Sequence, residues 1–199
     1  MFTLGILKIL YSFARLYFKS LIMIKLIKKY LLKQCLKNHQ AVREKTIISL
    51  EQARTMGILC QITDEESYKE VYDLFSKLHS PKRTLWLMGY INQKEVPYYC
   101  LQQLSVDYFS NKNLNWYGKP DFPQLHDFIK KDFDILIDFS RNDLLPLRYI
   151  LTASNAKLIV GANEYVQELY DVFIKDEANI DSLKLLETIH NYLIKLTGV

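Results

Sequence analysis

The sequence predicts an α/β fold, a Rossmann-like three-layer sandwich in which about five mostly parallel strands are covered by helices. One observation predicts this sheet, and a second predicts a helix that precedes it. From Ser49 onward, short apolar runs rich in β-forming residues alternate with amphipathic segments of helical period, a pattern typical of a parallel sheet. Ahead of this pattern stands a basic, apolar segment that predicts an N-terminal amphipathic helix. We therefore divide the chain into a helical leader, residues 1–44, and a single α/β domain, residues 45–199.

The first half of the domain opens with a strand over "MGILCQI", residues 56–62, whose unbroken apolar run suits a strand buried on both faces. Thr63 and Glu66 have the spacing of a capping box, and the apolar residues of 68–78 then recur at helical spacing. Further strands are predicted over 84–91 and 97–104.

The second half continues the alternation with a short helix in "FPQLHDFIKKD" and a buried strand in "FDILIDFS", residues 133–140. Asp143 is placed to cap the next helix, whose first turn tolerates Pro146. The remaining predicted elements are strands over 156–161 and 170–174 and a closing helix over 180–198.

Composition excludes several classes of protein. A chain of 199 residues with 49% apolar and 24% charged residues is typical of one globular domain. The three cysteines are an odd number without C-x-x-C spacing, which argues against a disulfide framework or a zinc site and favours a reducing, cytoplasmic compartment. The four histidines are scattered, so no metal ligand is predicted.

The leader carries a charge opposite to that of the domain. Residues 1–43 hold nine of the 26 Lys and Arg and no acid, which leaves 17 basic against 22 acidic residues, a net charge of −5, in the remainder. The longest uncharged stretch is seven residues, far short of the roughly 20 that span a bilayer. Lys8, Ser12, Arg15 and Lys19 fall on one helical face, as in a helix that lies in the interface of an anionic membrane.

The composition of the leader also suits roles away from a membrane. The same helix could pack against the domain, against a partner protein or against a second copy, and the oligomeric state is unknown. Met23 is an alternative start of translation, because "MIKLIKKYLLKQCLKN" could itself form the N-terminal segment of the protein. Nucleic acid is not a predicted partner, because the basic residues are interleaved with aliphatic ones and the acidic domain would repel phosphates.

A ligand site is predicted at the carboxyl ends of the strands, where open α/β sheets bind their ligands. The best candidate is the loop Ser140, Arg141, Asn142 and Asp143, which offers a hydroxyl, a guanidinium, an amide and a carboxylate before a helix. The structural alternative is that Asn142 and Asp143 only cap that helix. Asp134 and Asp138 could also form a pair of carboxylates, or each could accept hydrogen bonds from nearby backbone.

Several motifs of known chemistry are missing. The chain has no G-x-G-x-x-G and no G-x-x-x-x-G-K-[ST], and acidic residues 64–66 stand where a phosphate loop should follow the first strand. No G-x-S-x-G is present, so no residue is assigned a catalytic role and no cofactor is predicted.

The stretch "YFSNKNLNWYGKPD", residues 108–121, predicts a loop rich in aromatic and asparagine residues. Gly118 and the Lys119-Pro120 step predict a turn with an extended exit, and the asparagines can bond their own backbone. Trp116 and Tyr117 are expected to hold the loop against the domain. If the loop binds a ligand, the residues that would do so are Lys112, Asn115, Trp116 and Lys119.

The block F-S-x-K-x-L-N-W-Y-G-K-P in this stretch, with "EQARTMGIL", "FDILIDFS" and "YILTASNAKLIVG" around it, resembles an uncharacterised Bacteroidota family, a domain of unknown function. The resemblance covers Met23 to Val199 and implies a short basic opening helix but no activity. The segment from "FDILIDFS" to "AKLIVG" is also similar to the acceptor half of heptosyltransferase-type glycosyltransferases, although the chain has no room for their donor-binding domain.

Together these features favour a non-enzymatic Rossmann-like domain, attached to the inner face of the cytoplasmic membrane through residues 1–37. The alternative is a glycosyltransferase-like enzyme or a small-ligand binder that uses the strand ends.

Overall fold

The computed structural model describes residues 2–101, 103–175 and 181–198, and within the first helix the side chains of residues 15, 17 and 19 onward. Its centre is an all-parallel sheet with the strand order β3-β2-β1-β4-β5-β6. The strands are β1 Thr55–Ile62, β2 Thr84–Ile91, β3 Val106–Ser110, β4 Ile135–Asp138, β5 Leu158–Gly161 and β6 Val172–Phe173. The predicted Rossmann-like fold is confirmed, with six strands in place of the expected five or so.

Helices cover both faces of the sheet, because its strands are apolar on both sides. They are α1 Phe2–Asn38, α2 Glu65–Leu78, α3 Pro123–Lys130, α4 Leu145–Ala153 and α5 Ser182–Thr197, with short 3-10 helices at Asn111–Asn113 and Glu164–Leu169. The buried side chains of α2 and α5 form one core with the sheet. Those of α3, α4 and the end of α1 form the other.

The predicted leader helix is confirmed as α1, and among its described side chains the buried ones lie in the C-terminal turns. Leu32 is buried, and Cys35 joins the core on the α4 side of the sheet. The chain that follows is tied down by Arg43, which donates to both carboxylate oxygens of Asp171, at 2.7 and 3.0 Å. Within the described residues, no helix is long and apolar enough to cross a membrane. Two members of the predicted polar face, Lys8 and Ser12, lie outside the described side chains.

The third strand lies in a different place from the one predicted. Residues 97–104 form turns in the part that is described, and the strand that pairs with β2 is Val106–Ser110. Ser105 has a φ of 67°, a left-handed conformation that turns the chain just before β3. The apolar residues of 97–104 therefore belong to the connection between β2 and β3, and two of them, Leu101 and Leu104, are exposed.

Two predicted helix caps are also wrong. The capping box of α2 uses Asp64 and Ser67 rather than Thr63 and Glu66: the Asp64 carboxylate accepts from the Ser67 N–H at 2.8 Å. The cap position of α4 is Leu144, which makes no side-chain cap. Pro146 lies in the first turn, where its missing N–H leaves no acceptor without a partner. The start of the predicted closing helix, residue 180, lies outside the described residues, and α5 begins after its cap Asp181.

Candidate functional site

A cavity of about 530 Å³ opens at the carboxyl edge of the sheet, between the loops that follow β4 and β5. Leu185 of α5 forms part of its wall, with Phe139 and Ala162 as further apolar contacts. Its polar lining consists of Ser140, Arg141, Asn142, Asn163, Glu164 and Tyr165. The edge is the one where parallel α/β sheets bind small molecules.

Beneath the cavity lies a buried polar network centred on Asp138, the last residue of β4. Its carboxylate accepts from the Tyr170 hydroxyl at 2.6 Å and from the Ser140 hydroxyl and N–H, each at 2.9 Å. Burial raises the pKa of Asp138 to about 6, and these three donors oppose the rise. The carboxylate is fully buried and already bonded on both oxygens, so it shapes the floor of the cavity and is not offered to a ligand.

Gly161, the last residue of β5, lets Tyr170 reach this network. A Cβ on Gly161 would overlap the ring of Tyr170, so the aromatic ring lies directly on the glycine backbone. The strand end therefore needs a residue without a side chain. Burial and the neighbouring Asp138 carboxylate both raise the pKa of the Tyr170 hydroxyl, which stays a donor.

Asn163 joins the two loops above the network. Its side-chain NH₂ donates to the backbone oxygen of Asn142 at 2.9 Å and to the Ser140 hydroxyl at 3.3 Å. Its side-chain oxygen accepts from the N–H of Tyr165 at 3.1 Å. Because Asn163 is almost fully buried, these bonds fix the shape of the cavity before any ligand arrives.

The structure brings three of the four predicted loop residues to the cavity: Ser140, Arg141 and Asn142. Asn142 also donates to the side-chain oxygen of Gln61 at 2.8 Å, a bond that spans the ends of β4 and β1 at the switch point of the sheet. Asp143 does not line the cavity; it lies 3.1 Å from a guanidinium nitrogen of Arg148.

The pairing of Asp134 with Asp138 is not found. Asp134 precedes β4, accepts from the N–H groups of Arg54 and Thr55 at 3.0 and 3.1 Å, and pairs with Lys157 at 2.8 Å. Asp138 ends the same strand, so the two carboxylates lie at opposite edges of the sheet. Each accepts from nearby backbone, which is the structural alternative.

The second predicted cluster follows β3, and in the strand order it stands three strands from β4. Lys112 pairs with Glu95 at 2.7 Å, and the Lys119 ammonium lies 5.3 Å from the centre of the Tyr149 ring. The side-chain oxygen of Asn115 accepts from two backbone N–H groups of its own loop. Tyr117 packs on the core as expected, but Trp116 is 59% exposed, so the prediction that it holds the loop down is wrong.

The start of α2, where a classical phosphate loop would follow β1, is already capped by a carboxylate. The cap of α2 is its own Asp64 carboxylate, which occupies the position that a phosphate would take, and hydrogen bonds from Ser67 lower the pKa of this group. Among the described residues, no three His, Cys, Asp or Glu side chains are grouped as metal ligands. All three cysteines are free and buried, and burial raises the pKa of Cys100 to about 11, so its thiol is protonated.

Two residues of this network, Tyr170 and Asn163, are not among the site residues that the sequence predicts. The predicted strand over 170–174 includes Tyr170, and nothing in its neighbourhood indicates a partner 32 positions away. Asp138 does carry a signal, because a carboxylate in an otherwise apolar strand must be paired when it is buried. Asn163 is recognisable as a strand end but not as the bridge between two loops.

These features define a Rossmann-like α/β domain with a polar cavity at its carboxyl edge. The chain belongs to a family of unknown function (DUF6913), whose family model matches residues 24–196. The resemblance inferred from Met23 onward to an uncharacterised family is thus confirmed, and the family brings no activity with it. No curated protein and no solved structure matches the chain.

Proposed function

We propose that this protein is a non-enzymatic Rossmann-like domain that α1 holds against the surface of an anionic membrane. The observation that carries the proposal is the exposure of apolar side chains along α1. Each described apolar side chain from residue 17 to residue 30 is at least 39% exposed: Tyr17, Leu21, Ile22, Met23, Ile24, Leu26, Ile27 and Tyr30. Water-exposed apolar surface of this extent needs an apolar partner.

Between residues 23 and 30, the two sides of α1 differ in a way that suits a bilayer interface. Met23, Ile27 and Tyr30 recur at intervals of four and three residues, so they share one side of the helix. At about 100° per residue, Lys25, Lys28 and Lys29 point to the opposite side. A helix of this kind lies in the plane of the headgroups with its apolar side toward the acyl chains.

Charge favours an anionic membrane over a second copy of the chain. With no acid in residues 1–43, two copies of α1 would bring lysines together without carboxylates to pair them. Anionic lipid supplies the missing charge, at about 1 kcal/mol for each Lys or Arg near the surface. The remaining residues, at a net −5, are repelled by the same lipid, which leaves α1 as the attachment point.

Co-sedimentation with vesicles tests this function on the full chain. The double variant Lys25→Glu/Lys29→Glu removes two attractions, so binding to phosphatidylglycerol vesicles should fall by at least about 30-fold, or about 2 kcal/mol. The matched control is Lys82→Glu/Lys94→Glu, which makes the same change in net charge at exposed positions of the domain. Equal binding by both variants, or no binding by the wild-type chain, would overturn the proposal.

A second candidate function is small-ligand binding at the carboxyl edge, either by a pure binder or by a glycosyltransferase-like enzyme. The cavity of about 530 Å³, with its polar lining and prebuilt floor, favours it. The lining combines Arg141 with Asn142 and Glu164, groups that suit a polar ligand rich in hydroxyl or phosphoryl oxygens.

Thermal denaturation with nucleotides and sugar nucleotides tests the cavity. A ligand present at 100 times its Kd should raise the free energy of unfolding by about 2.7 kcal/mol. The shift should shrink in Arg141→Ala and persist in the control Lys82→Ala. If no compound shifts the transition, or if Arg141→Ala responds like the wild-type chain, the cavity is not this site.

A further inference from the structure

A groove separates the C-terminal turns of α1 from α4 and the 3-10 helix Glu164–Leu169, on the face of the sheet away from α2 and α5. Its volume is about 570 Å³. Tyr30, Leu36 and Leu169 supply apolar walls, and Lys33, Lys37 and Arg148 supply positive charge. The groove thus offers an apolar surface beside a group of cations, and among the described residues Glu168 is the acidic one in its lining.

A smaller cavity of about 120 Å³ continues the groove along the chain that follows α1. The two cavities share the lining residues Gln40, Thr152, Glu168 and Leu169. The continuation adds Arg43 and Lys45, but both of these cations already pair with Asp171, at 2.7 and 2.8 Å. The charge available to an incoming group is therefore concentrated in the larger cavity.

Two cations of the larger cavity, Lys33 and Lys37, have no carboxylate partner in the part of the chain that the structure describes. Among the described residues, no carboxylate lies within 4.0 Å of the ammonium groups of Lys33 or Lys37. Arg148 is shared between Asp143, at 3.1 Å, and Glu168, at 3.7 Å. Its Nε is nevertheless buried and has no hydrogen-bond partner in the described part of the chain. The positive charge that an incoming anion would meet is therefore mainly that of Lys33 and Lys37.

We propose that this groove binds one anionic lipid molecule, with its headgroup phosphate between Lys33 and Lys37 and the start of an acyl chain on Tyr30, Leu36 and Leu169. The inference rests on the proposed membrane function, since it shares α1. The groove begins at Tyr30, the last residue of the exposed apolar side of α1, so a lipid that contacts that side continues directly into it. An apolar surface beside cations selects an amphiphile with an anionic head over a free anion or a neutral lipid.

Monomeric short-chain lipid tests the groove without a membrane. Calorimetric titration of the full chain should show binding of dihexanoylphosphatidylglycerol below its micelle concentration. Binding of dihexanoylphosphatidylcholine should be at least tenfold weaker, because it carries no net charge, and inorganic phosphate should compete poorly, because it has no chain. Equal binding of both lipids would overturn the proposal, and so would phosphate that binds as tightly as the anionic lipid.

Two charge reversals on the same helix locate the site. Lys33→Glu/Lys37→Glu should weaken binding of the monomeric anionic lipid at least tenfold. Lys25→Glu/Lys29→Glu, outside the groove, should leave it unchanged while reducing binding to vesicles. If the Lys33 and Lys37 variant binds the monomer as well as the wild-type chain does, the groove is not the site. If Lys25→Glu/Lys29→Glu leaves vesicle binding unchanged while Lys33→Glu/Lys37→Glu still weakens binding of the monomer, the proposed membrane function is overturned and the lipid site in the groove is supported.

Discussion

Asp138 is the residue whose chemistry depends most on its surroundings. Its pKa is about 6 in the folded chain and 3.8 ordinarily. Between these values the folded state keeps a proton that the unfolded state has lost, so the free energy of unfolding falls as pH rises. This contribution is full below about pH 4 and is lost above pH 6, a change of about 3 kcal/mol.

Asp138→Asn should remove this dependence, because an amide does not titrate and the hydroxyls of Ser140 and Tyr170 can accept as well as donate. We expect the stability of the variant, relative to the wild-type chain, to rise by about 3 kcal/mol between pH 4 and pH 7. Urea denaturation of both proteins at a series of pH values measures it. If the difference in the free energy of unfolding between the two proteins stays constant from pH 4 to pH 7, Asp138 does not change its protonation state on folding in this range, and the prediction is wrong.

Gly161 makes a prediction that depends on close packing. Gly161→Ala should displace Tyr170 and take a donor from Asp138, at a cost of about 2 to 4 kcal/mol in the free energy of unfolding. Gly118→Ala is the matched control, because no atom lies within 4 Å of its Cβ position and only the φ of 99° is strained. That strain costs about 1 to 2 kcal/mol. Similar losses in urea denaturation would argue against the Tyr170 contact.

At the scale of elements, the turn in the loop after β3 is stabilised by hydrogen bonds between residues of the loop. Asn115 N–H donates to the Lys119 carbonyl at 2.8 Å, and the Asn115 side chain accepts from the N–H groups of Tyr117 and Lys119. The predicted turn at Gly118 is present, with positive φ. The asparagines behave as expected except Asn111, whose side chain instead accepts from the Tyr90 hydroxyl at 2.6 Å.

Asn115→Ala should therefore lower the free energy of unfolding by about 1 to 2 kcal/mol, since two backbone donors lose their acceptor. Asn115→Asp keeps both acceptor bonds and should retain most of the stability. Chemical denaturation of the three proteins compares them. If Asn115→Asp loses as much as Asn115→Ala, the side-chain oxygen is not what holds the turn.

Element positions are predictable where the signal is local. The strands β1, β2, β4 and β5 are continuous apolar runs, and α2 and α5 carry clear helical periods, so each is predicted close to its place. The strand β3 is not, since "VDYFS" is short and a longer apolar run precedes it. The position of β3 is determined by its pairing with β2 and by the left-handed conformation of Ser105, and both are visible only in the folded chain.

For the whole molecule, the separation of charge between α1 and the domain predicts a salt dependence. Binding of the full chain to phosphatidylglycerol vesicles should weaken steadily between 0.1 and 1 M salt, as the screening length falls from about 10 to about 3 Å. Binding to phosphatidylcholine vesicles should be weak throughout, and Lys25→Glu/Lys29→Glu should flatten the dependence. Salt-independent binding would mean that burial of apolar surface alone drives attachment.

The two candidate sites are the cavity at the carboxyl edge and the groove beside α1. The loop at residues 140–142, which lines the cavity, can be located from the sequence, because the end of a strand and the polar residues after it are both local signals. The groove between α1 and α4 cannot, because its two walls come from helices more than 100 positions apart. Nor does the sequence show that Lys112 and Lys119 already have partners, Glu95 and the Tyr149 ring.

By itself, the sequence determined the α/β class, the places of most strands and the opposite charges of leader and domain, because periodicity and charge are properties of neighbouring residues. The tertiary structure alone decided the strand order, the burial of Asp138 under Tyr170 and the burial of Leu32 and Cys35 at the C-terminal end of α1. These depend on contacts between distant parts of the chain, and such contacts leave no local pattern in the sequence.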